Sequence, residues 1–356
     1  MSGTVSSRAT ILSVATAVPD NIVTAEDTKQ ILPKAFHLAA RRLAGINAVI
    51  DNARVEKRHT IFPAEYLIQP RSLEKINCEY KTQAIHFGAI VAERALQEAN
   101  LEAAEIDLII SVSCTGVMIP AVDAYLINQM GFRSDVKRLP LTELGCAAGA
   151  AGLGRATDYI RAYPDANVLV IAIEFPTLTL QRDDLSPANL ISCVLFGDGA
   201  AAAVLTGRSA PGLQVVDSYS HLIPGSLDAM GFDLRGTGFH IVLSKEVPQL
   251  IRDKIGAVTN TFLARHNLSR DDLQFFLLHP GGQKLLSFVE EELGLTSQQT
   301  QSSWDVLRDY GNLSSATVLF VAKEFLSGPV PRHGERGLLA AFGPGFVMEM
   351  ALLEWN

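Results

Sequence analysis

The chain has 356 residues, with 30 basic and 38 acidic side chains and a formal net charge of −8. Hydrophobic residues make up 48% and charged residues 19%, which excludes a disordered chain because disorder needs few core-forming residues and a large charge imbalance. Acidic side chains outnumber basic ones, and the basic ones form no continuous stripe. This argues against nucleic acid as a partner, because phosphate binding depends on clustered Lys and Arg. The length allows two domains or one large α/β unit.

Neither terminus resembles a membrane or export segment. Polar residues interrupt the apolar run 9–18, so we expect a strand there rather than a signal peptide. The apolar tail 337–355 contains Gly343-Pro344-Gly345 and Glu349, which a membrane helix rarely combines. We expect a cytoplasmic protein without a membrane span.

The cysteines fit free thiols in a reducing compartment. No Cys-x-x-Cys pair occurs, so the sequence lacks the spacing of a zinc or redox site, and we expect no metal. The four cysteines are Cys78, Cys114, Cys146 and Cys193.

An internal repeat organises the predicted elements. A predicted helix, Ala84–Ala99, is followed by Asn100-Leu101 and the apolar run 106–110, and a helix over Leu250–Arg265 is followed by Asn267-Leu268 and the run 273–278. The two Asn-Leu pairs lie 167 residues apart. The offset indicates two copies of one unit.

Two further landmarks recur in the same order. Helices begin near Cys146 and Asn312, and Phe-Gly motifs at Phe196 and Phe342 each open an apolar run. Continuous apolar runs that alternate with helices predict a largely parallel sheet covered on both faces. We therefore expect two stacked α/β halves in five layers, divided as residues 1–208 and 209–356.

Three residues carry the candidate chemistry. Cys146 follows a predicted strand and tight turn at a helix start, where unpaired N–H groups and the helix dipole favour a thiolate. His279 ends the apolar strand 275–278, and Asn312 opens the matching helix of the second half. If the repeat brings them together, they form a nucleophile with a proton partner and an oxyanion donor, which predicts acyl transfer.

The motifs around these residues resemble the type III polyketide synthases, the chalcone-synthase-like enzymes, over nearly the whole chain. The matching segments are Gly145-Cys146-Ala147-Ala148-Gly149, Phe196-Gly197-Asp198-Gly199-Ala200, His279-Pro280-Gly281-Gly282, Gly311-Asn312-Leu313-Ser314-Ser315-Ala316 and Phe342-Gly343-Pro344-Gly345. The resemblance implies a duplicated thiolase-like fold, five-layer αβαβα, in a homodimer.

The resemblance also implies the reaction. Cys146 accepts an acyl group from a starter acyl-CoA, and His279 and Asn312 bind the thioester carbonyl and the enolate that malonyl-CoA forms when it loses CO₂. Repeated condensation and cyclisation then take place in one cavity. CoA thioesters are the partners, and neither a cofactor nor an obligatory carrier protein is implied.

Cavity residues are implied one position at a time. Phe239 matches one of two gating phenylalanines, and the second position falls near Leu213, where the aromatic is missing. Cys114 stands where plant members have threonine and bacterial naphthalene-forming members have cysteine. Ile119 matches a residue that reaches into the partner subunit's cavity. The other expected cavity residues are Thr179, Met230 and Ser314.

The sequence contains no clear motif for the residues that bind the CoA phosphates. A cluster of basic residues supplies candidates, although a basic cluster also fits a solvated face. The candidates are Arg41, Arg42, Arg54, Lys57 and Arg58.

The mixture of Leu213, Cys114 and methionines predicts an aliphatic starter and an alkylpyrone or alkylresorcinol-type product. One alternative is a tetrahydroxynaphthalene-type synthase that uses malonyl-CoA alone, and another is an initiating β-ketoacyl synthase of fatty-acid synthesis. A papain-like protease shares the order Cys, His, Asn but lacks the expected cysteine signature. A non-catalytic binding relative is the last alternative.

Overall fold

The structure, a computed structural model, describes residues 8–36 and 38–356, and for Ala40 and Arg41 it describes the backbone only. The strands in the described part are β1 Ala9–Ala17, β2 Asn21–Thr24, β3 Lys57–Thr60, β4 Leu108–Val112, β5 Lys137–Leu141, β6 Asn167–Glu174, β7 Gly199–Thr206, β8 Leu213–Leu222, β9 Met230–Arg235, β10 Gly238–Leu243, β11 Phe275–Leu278, β12 Arg336–Gly343 and β13 Val347–Trp355.

The described part of the chain also contains eleven α-helices. They are α1 Ala25–Phe36, α2 Ala40–Asn52, α3 Ala64–Leu67, α4 Leu73–Ala99, α5 Val122–Met130, α6 Ala148–Ala162, α7 Pro187–Leu195, α8 Val247–Ala264, α9 Gln283–Leu293, α10 Gln301–Tyr310 and α11 Thr317–Leu326. None of these helices is both long and apolar enough to cross a membrane.

Nine strands form one mixed sheet in the order β11-β12-β13-β8-β1-β7-β6-β4-β5. β4 pairs in parallel with β5 and β6, as β11 does with β12, whereas the other neighbours are antiparallel. The expectation of a largely parallel sheet is therefore wrong. Continuous apolar runs report burial of both faces, and they do not report strand direction.

The strand order confirms the duplication. Outward from the centre, β1, β7, β6 and β4 of one half take the same places as β8, β13, β12 and β11 of the other. β4 and β11 follow the two Asn-Leu pairs, and β7 and β13 follow the two Phe-Gly motifs, as predicted. The predicted division at residues 208 and 209 falls between β7 and β8 and stays a prediction.

The two halves enclose a central layer of helices. α6 and α11 lie in a core cluster with side chains from both halves of the sheet. The outer face of the first half packs on α4, and the outer face of the second half packs on α8 and α9. The result is the expected five-layer arrangement.

The halves are joined where β1 pairs with β8. Three residue pairs form this join, and one of them is Ile11 with Leu213. Leu213 also pairs with Trp355 of β13 and is fully buried in the central core. The assignment of Leu213 to the substrate cavity is therefore wrong, because the first residue of β8 is enclosed by the sheet on both sides.

Candidate active site

Cys146 lies at the start of the buried central helix. It belongs to a short 3₁₀ turn, Gly145–Ala147, that follows β5 and leads into α6. Gly145 has a φ of +50°, and a Cβ there would lie 2.6 Å from the Pro344 ring, so the turn requires glycine. The thiol is thereby placed at a helix N-terminus, as the sequence predicts.

Asn312 has the equivalent place in the second half. It precedes the 3₁₀ turn Ser314–Ala316 that leads into α11. Its Oδ1 accepts the backbone N–H of Ser314 at 2.8 Å, and its Nδ2 donates to the Gly281 carbonyl oxygen at 3.3 Å. The carboxamide is thus held in a fixed orientation in a buried position.

His279 directly follows β11, and its backbone N–H donates to the Ala340 carbonyl oxygen at 2.8 Å. Its ring is buried, and Nδ1 has no hydrogen-bond partner within the described residues. This nitrogen is itself enclosed by protein atoms, so Nδ1 does not face the cavity that the residue lines.

Cys146, His279 and Asn312 all line one cavity of about 850 Å³. The three predicted catalytic residues come from three separate segments, the two central helix starts and the end of β11, which all reach this cavity. The predicted residues Cys114, Met230, Phe239 and Ser314 line the same cavity.

One hydroxyl lies between the two cavity thiols. The Ser314 Oγ is 3.5 Å from the Cys146 Sγ and 3.4 Å from the Cys114 Sγ. Ser314 has a φ of +51°, which turns its side chain into this position at a conformation that few non-glycine residues adopt. The thiols of Cys146 and Cys114 are therefore connected through a single side chain.

Glu174, which is not among the residues predicted from sequence, supports this arrangement from behind. Its fully buried carboxylate accepts the backbone N–H of Cys114 at 3.1 Å, the hydroxyl of Thr115 at 2.8 Å and the hydroxyl of Ser315. Burial raises the pKa of Glu174, and these hydrogen bonds oppose the rise. In the sequence, the one sign of Glu174 is an acidic residue at the end of a largely apolar strand.

Burial controls the protonation of the nucleophile. It raises the pKa of the Cys146 thiol to about 12, although hydrogen bonds from Ser314 and Asn312 oppose the rise, and it lowers the pKa of His279 to about 3. Desolvation by burial is the largest influence on the pKa of both groups, and for Cys146 it outweighs the hydrogen bonds that favour the thiolate.

The position of Cys146 also depends on Gly149, the second residue of α6. A Cβ at Gly149 would lie 2.2 Å from the backbone oxygen of Ser315, where the two central helix starts meet. We expect Gly149→Ala to destabilise the protein by about 1–3 kcal/mol and to lower the reactivity of Cys146, because it pushes the helices apart. Thermal unfolding and alkylation of the thiol measure the two effects.

Gly45→Ala is the matched control. Gly45 lies within α2, and a Cβ there would meet nothing within 4 Å. Removal of a helix-interior glycine is expected to stabilise the protein by about 0.5–1 kcal/mol. Equal behaviour of the two variants would contradict the close approach of α6 to Ser315.

Two further predicted cavity residues lie elsewhere. Thr179 ends the turn Pro176–Thr179, donates to the Pro176 carbonyl oxygen at 2.8 Å and is not part of the cavity wall. Ile119 is 93% exposed and does not contact the cavity of its own chain. Besides Phe239, the aromatic residues of the cavity wall are Phe196, Phe232 and Phe342, and none of them lies near Leu213 in the sequence.

Of the candidates for the CoA phosphates, Arg42, Arg54, Lys57 and Arg58 do not line the cavity. Arg58 is buried and donates to the Phe196 carbonyl oxygen at 2.8 Å, so its assignment is wrong. Lys57 lies 3.8 Å from the Asp309 carboxylate, and Arg54 stacks over Trp304. Arg42 is exposed on α2, and the side chain of Arg41 lies outside the described residues.

Two lysines that were not predicted do line the cavity. Lys245 and Lys284 are exposed, so they mark its opening, and neither has an ion-pair partner within the described residues. Lys284 belongs to the first turn of α9, and Lys245 precedes α8. Their charges are therefore free to meet an anionic group at the opening.

Known proteins share both the sequence and the fold. The model of the N-terminal domain of chalcone and stilbene synthases matches residues 1–209, and the model of their C-terminal domain matches residues 214–355. The 1,3,6,8-tetrahydroxynaphthalene synthase of Streptomyces coelicolor is 38% identical over 348 residues, which cover 98% of this chain and 92% of that protein. The phloroglucinol synthase of Pseudomonas fluorescens is 34% identical over 324 residues, which cover 90% of this chain and 92% of that protein.

A solved structure agrees with these matches. The crystal structure of the Streptomyces coelicolor tetrahydroxynaphthalene synthase, described as a bacterial type III polyketide synthase, has a TM-score of 0.94 and 37% identity, and covers 98% of this chain and 99% of that one. The chain therefore belongs to the chalcone and stilbene synthase family, and it is a type III polyketide synthase, an acyltransferase that carries out decarboxylative Claisen condensation.

Proposed function

We propose that the protein loads an aliphatic acyl-CoA starter on Cys146, extends it with malonyl-CoA and cyclises the chain to an alkylpyrone or alkylresorcinol-type product. The observation that carries the proposal is the cavity of about 850 Å³ that contains Cys146, His279 and Asn312. A cavity of this size can hold a starter together with several added ketide units.

The proposed chemistry follows from the groups present. His279 takes the thiol proton, Cys146 attacks the thioester carbonyl, and the CoA thiolate leaves with that proton. Malonyl-CoA then loses CO₂, and the electron pair of the broken bond becomes an enolate whose oxygen accepts hydrogen bonds from His279 and Asn312. The enolate carbon attacks the acyl-Cys146 carbonyl and releases the cysteine thiolate. Because decarboxylation supplies the carbanion, these steps need no cofactor and no carrier protein.

The cavity wall supports an aliphatic starter. Beyond the catalytic residues it is largely apolar, and aliphatic side chains from two helices, Val49 of α2 with Ile191 and Leu195 of α7, form one side. Apolar surface of this kind binds alkyl chains by removing them from water.

A panel of CoA thioesters tests the proposal. The protein is incubated with malonyl-CoA and acetyl-, hexanoyl-, dodecanoyl- or benzoyl-CoA, and the products are identified by mass spectrometry. We expect aliphatic starters to appear in pyrone or resorcinol products. Incorporation of the aromatic starter alone would contradict the proposal.

Malonyl-CoA alone is the second candidate substrate. The similarity to the Streptomyces coelicolor tetrahydroxynaphthalene synthase and the placement of Cys114 beside the nucleophile both favour it. If malonyl-CoA without a starter gives an aromatic product, and added acyl-CoAs are not incorporated, this alternative replaces the first.

We also propose that Lys245 and Lys284 bind the phosphates of CoA. Replacing either lysine with glutamine is expected to raise KM for malonyl-CoA by about 5- to 10-fold, because each loses a charge-assisted contact. The turnover number at saturation should be unchanged. Steady-state kinetics at low and high salt measure the effect, which should shrink as salt screens the charges.

A substrate without phosphates provides the control for this prediction. Malonyl-pantetheine reacts at the same thioester but lacks the groups that the lysines bind, so its KM should not change. Lys254→Gln, on an exposed face of α8 and outside the cavity wall, should leave both substrates unaffected. A loss with malonyl-pantetheine equal to that with malonyl-CoA would contradict the phosphate contact.

The remaining proposals concern assembly and location. We propose a cytoplasmic homodimer in which Ile119, exposed together with Val117, enters the cavity of the second subunit. An exposed apolar side chain of this kind is stabilised when a partner covers it. Light scattering should give twice the chain mass, and Ile119→Asp should shift it to the monomer.

A further inference from the structure

A separate hairpin, β9–β10, forms one wall of the cavity that contains Cys146. We call this wall the roof. The hairpin is not joined to the nine-stranded sheet, and alternate residues of each strand face the cavity, Met230 and Phe232 from β9 and Phe239 and Ile241 from β10. Because an isolated two-stranded hairpin is at best marginally stable, its position must depend on contacts with the rest of the chain.

Gln181 supplies such a contact beneath the hairpin. Its side chain is buried, and Nε2 donates to the Phe239 carbonyl oxygen at 3.0 Å and to the Thr179 carbonyl oxygen at 3.4 Å. Gly238 makes room for this approach, since a Cβ there would lie 3.1 Å from the Gln181 Nε2. The backbone that carries the Phe239 ring is thus tied to Gln181.

Gln181 is in turn fixed by Asn189, a buried residue of α7. Asn189 Oδ1 accepts the Gln181 backbone N–H at 3.3 Å, and its Nδ2 donates to the Gln181 carbonyl oxygen at 2.7 Å. α7 also forms a side of the cavity through Ile191 and Leu195. Hydrogen bonds through Gln181 therefore connect α7, which forms one side of the cavity, to the β9–β10 hairpin.

The other polar contacts of the hairpin hold it less firmly. Thr237 and His240 bond to each other at 2.8 Å within the hairpin itself, and the His240 Nδ1 lies 3.9 Å from the Asp184 carboxylate, beyond hydrogen-bond distance. Phe239 packs against Phe232, with ring centroids 5.6 Å apart, so both rings belong to the same unit of the roof.

We propose that Gln181 is a positioning residue that sets how deeply the Phe239 ring enters the cavity, and thereby limits the acyl chain that Cys146 accepts. The inference rests on the proposed function, because it assumes that Cys146 is loaded from acyl-CoA. A roof that is released from Gln181 lies farther from the cavity floor and leaves room for a longer chain.

Gln181→Met tests the proposal, because methionine keeps the length of the side chain and removes both donors. We expect the loading rate of Cys146 by dodecanoyl-CoA, relative to hexanoyl-CoA, to rise at least about 5-fold by intact-protein mass spectrometry. Loading by hexanoyl-CoA alone should stay within about 3-fold of the original protein. Gln249→Met, at an exposed position of α8, is the matched control and should change neither rate.

Limited proteolysis reports on the hairpin without any enzymatic activity. Arg235 ends β9 and is exposed at the hairpin tip, so trypsin can cleave after it when the hairpin opens. We expect cleavage at Arg235 to be at least about 5-fold faster in Gln181→Met, because the tether that opposes local opening is lost. If Gln181→Met does not fold, Gln181→Asn withdraws the donors by one methylene group and serves in its place.

A double variant distinguishes a positioning role of Gln181 from a general loss of structure. In a Phe239→Ala background, Gln181→Met should no longer change the dodecanoyl-to-hexanoyl ratio, because Gln181 acts through the Phe239 ring. An unchanged ratio and unchanged cleavage in the single variant, or an equal effect in the Phe239→Ala background, would overturn the proposal. A protein that loads both chains but forms another product class overturns only the proposed function, whereas one that loads neither overturns both.

Discussion

Replacing Cys146 by alanine is expected to lower polyketide formation by at least about 10⁴-fold, because the chain loses the atom that carries the growing acyl group. The fold should persist, since the side chain is small and alanine fills most of its space. Decarboxylation of malonyl-CoA should continue, because His279 and Asn312 still stabilise the enolate. Product formation and CO₂ release, measured in parallel, distinguish the two steps.

Cys193→Ala is the control for this prediction. Cys193 is as buried as Cys146 and also lies near a helix end, but it contacts a small apolar cavity of about 60 Å³ rather than the catalytic one. Its replacement should leave both steps nearly unchanged. Retention of polyketide formation in Cys146→Ala would mean that another group, with Cys114 the nearest candidate, carries the chain.

Replacing Asn312 by aspartate is expected to slow both malonyl-CoA decarboxylation and condensation by about 10²- to 10³-fold. Aspartate keeps the oxygen that accepts the Ser314 N–H at 2.8 Å, so the local turn can form. It loses the Nδ2 donor and places negative charge where the enolate oxygen develops. Rates of CO₂ release at saturating malonyl-CoA measure the effect.

Asn128→Asp is the control for this prediction, because it makes the same substitution away from the cavity. Asn128 is exposed on α5 and donates to the helix carbonyl of Ala124, so Asn128→Asp should keep full activity. A loss confined to KM in Asn312→Asp would contradict its role at the enolate, because a group that acts mainly in the transition state lowers the turnover number.

The positions of the three candidate catalytic residues are predictable because each is defined by its local sequence. Cys146 follows a glycine that the tight turn requires, His279 ends a short buried strand, and Asn312 precedes the equivalent helix of the second copy. The order and spacing of such landmarks do not change when the chain folds. They therefore identified the duplication, and with it the centre where the three residues meet.

The cavity wall was only partly predictable, because its members come from segments that are distant in sequence. The sequence predicts Leu213 beside Phe239, yet Leu213 is enclosed in the join between β1 and β8, whereas Phe196 lines the cavity. The Phe-Gly-Asp-Gly motif was visible, but whether its phenylalanine faces a cavity or a core depends on how the helices pack around it.

The sequence alone therefore determined the family and the duplicated architecture, and it singled out the three candidate catalytic residues that line one cavity. Only the tertiary structure decided the direction of the strands, the support of the site by Glu174, the lysines at the opening and the tie between Gln181 and the roof. The physical reason is the range of the interactions. Turns, helix starts and strand ends are determined over a few residues, whereas burial, protonation and cavity shape depend on which distant segments come into contact.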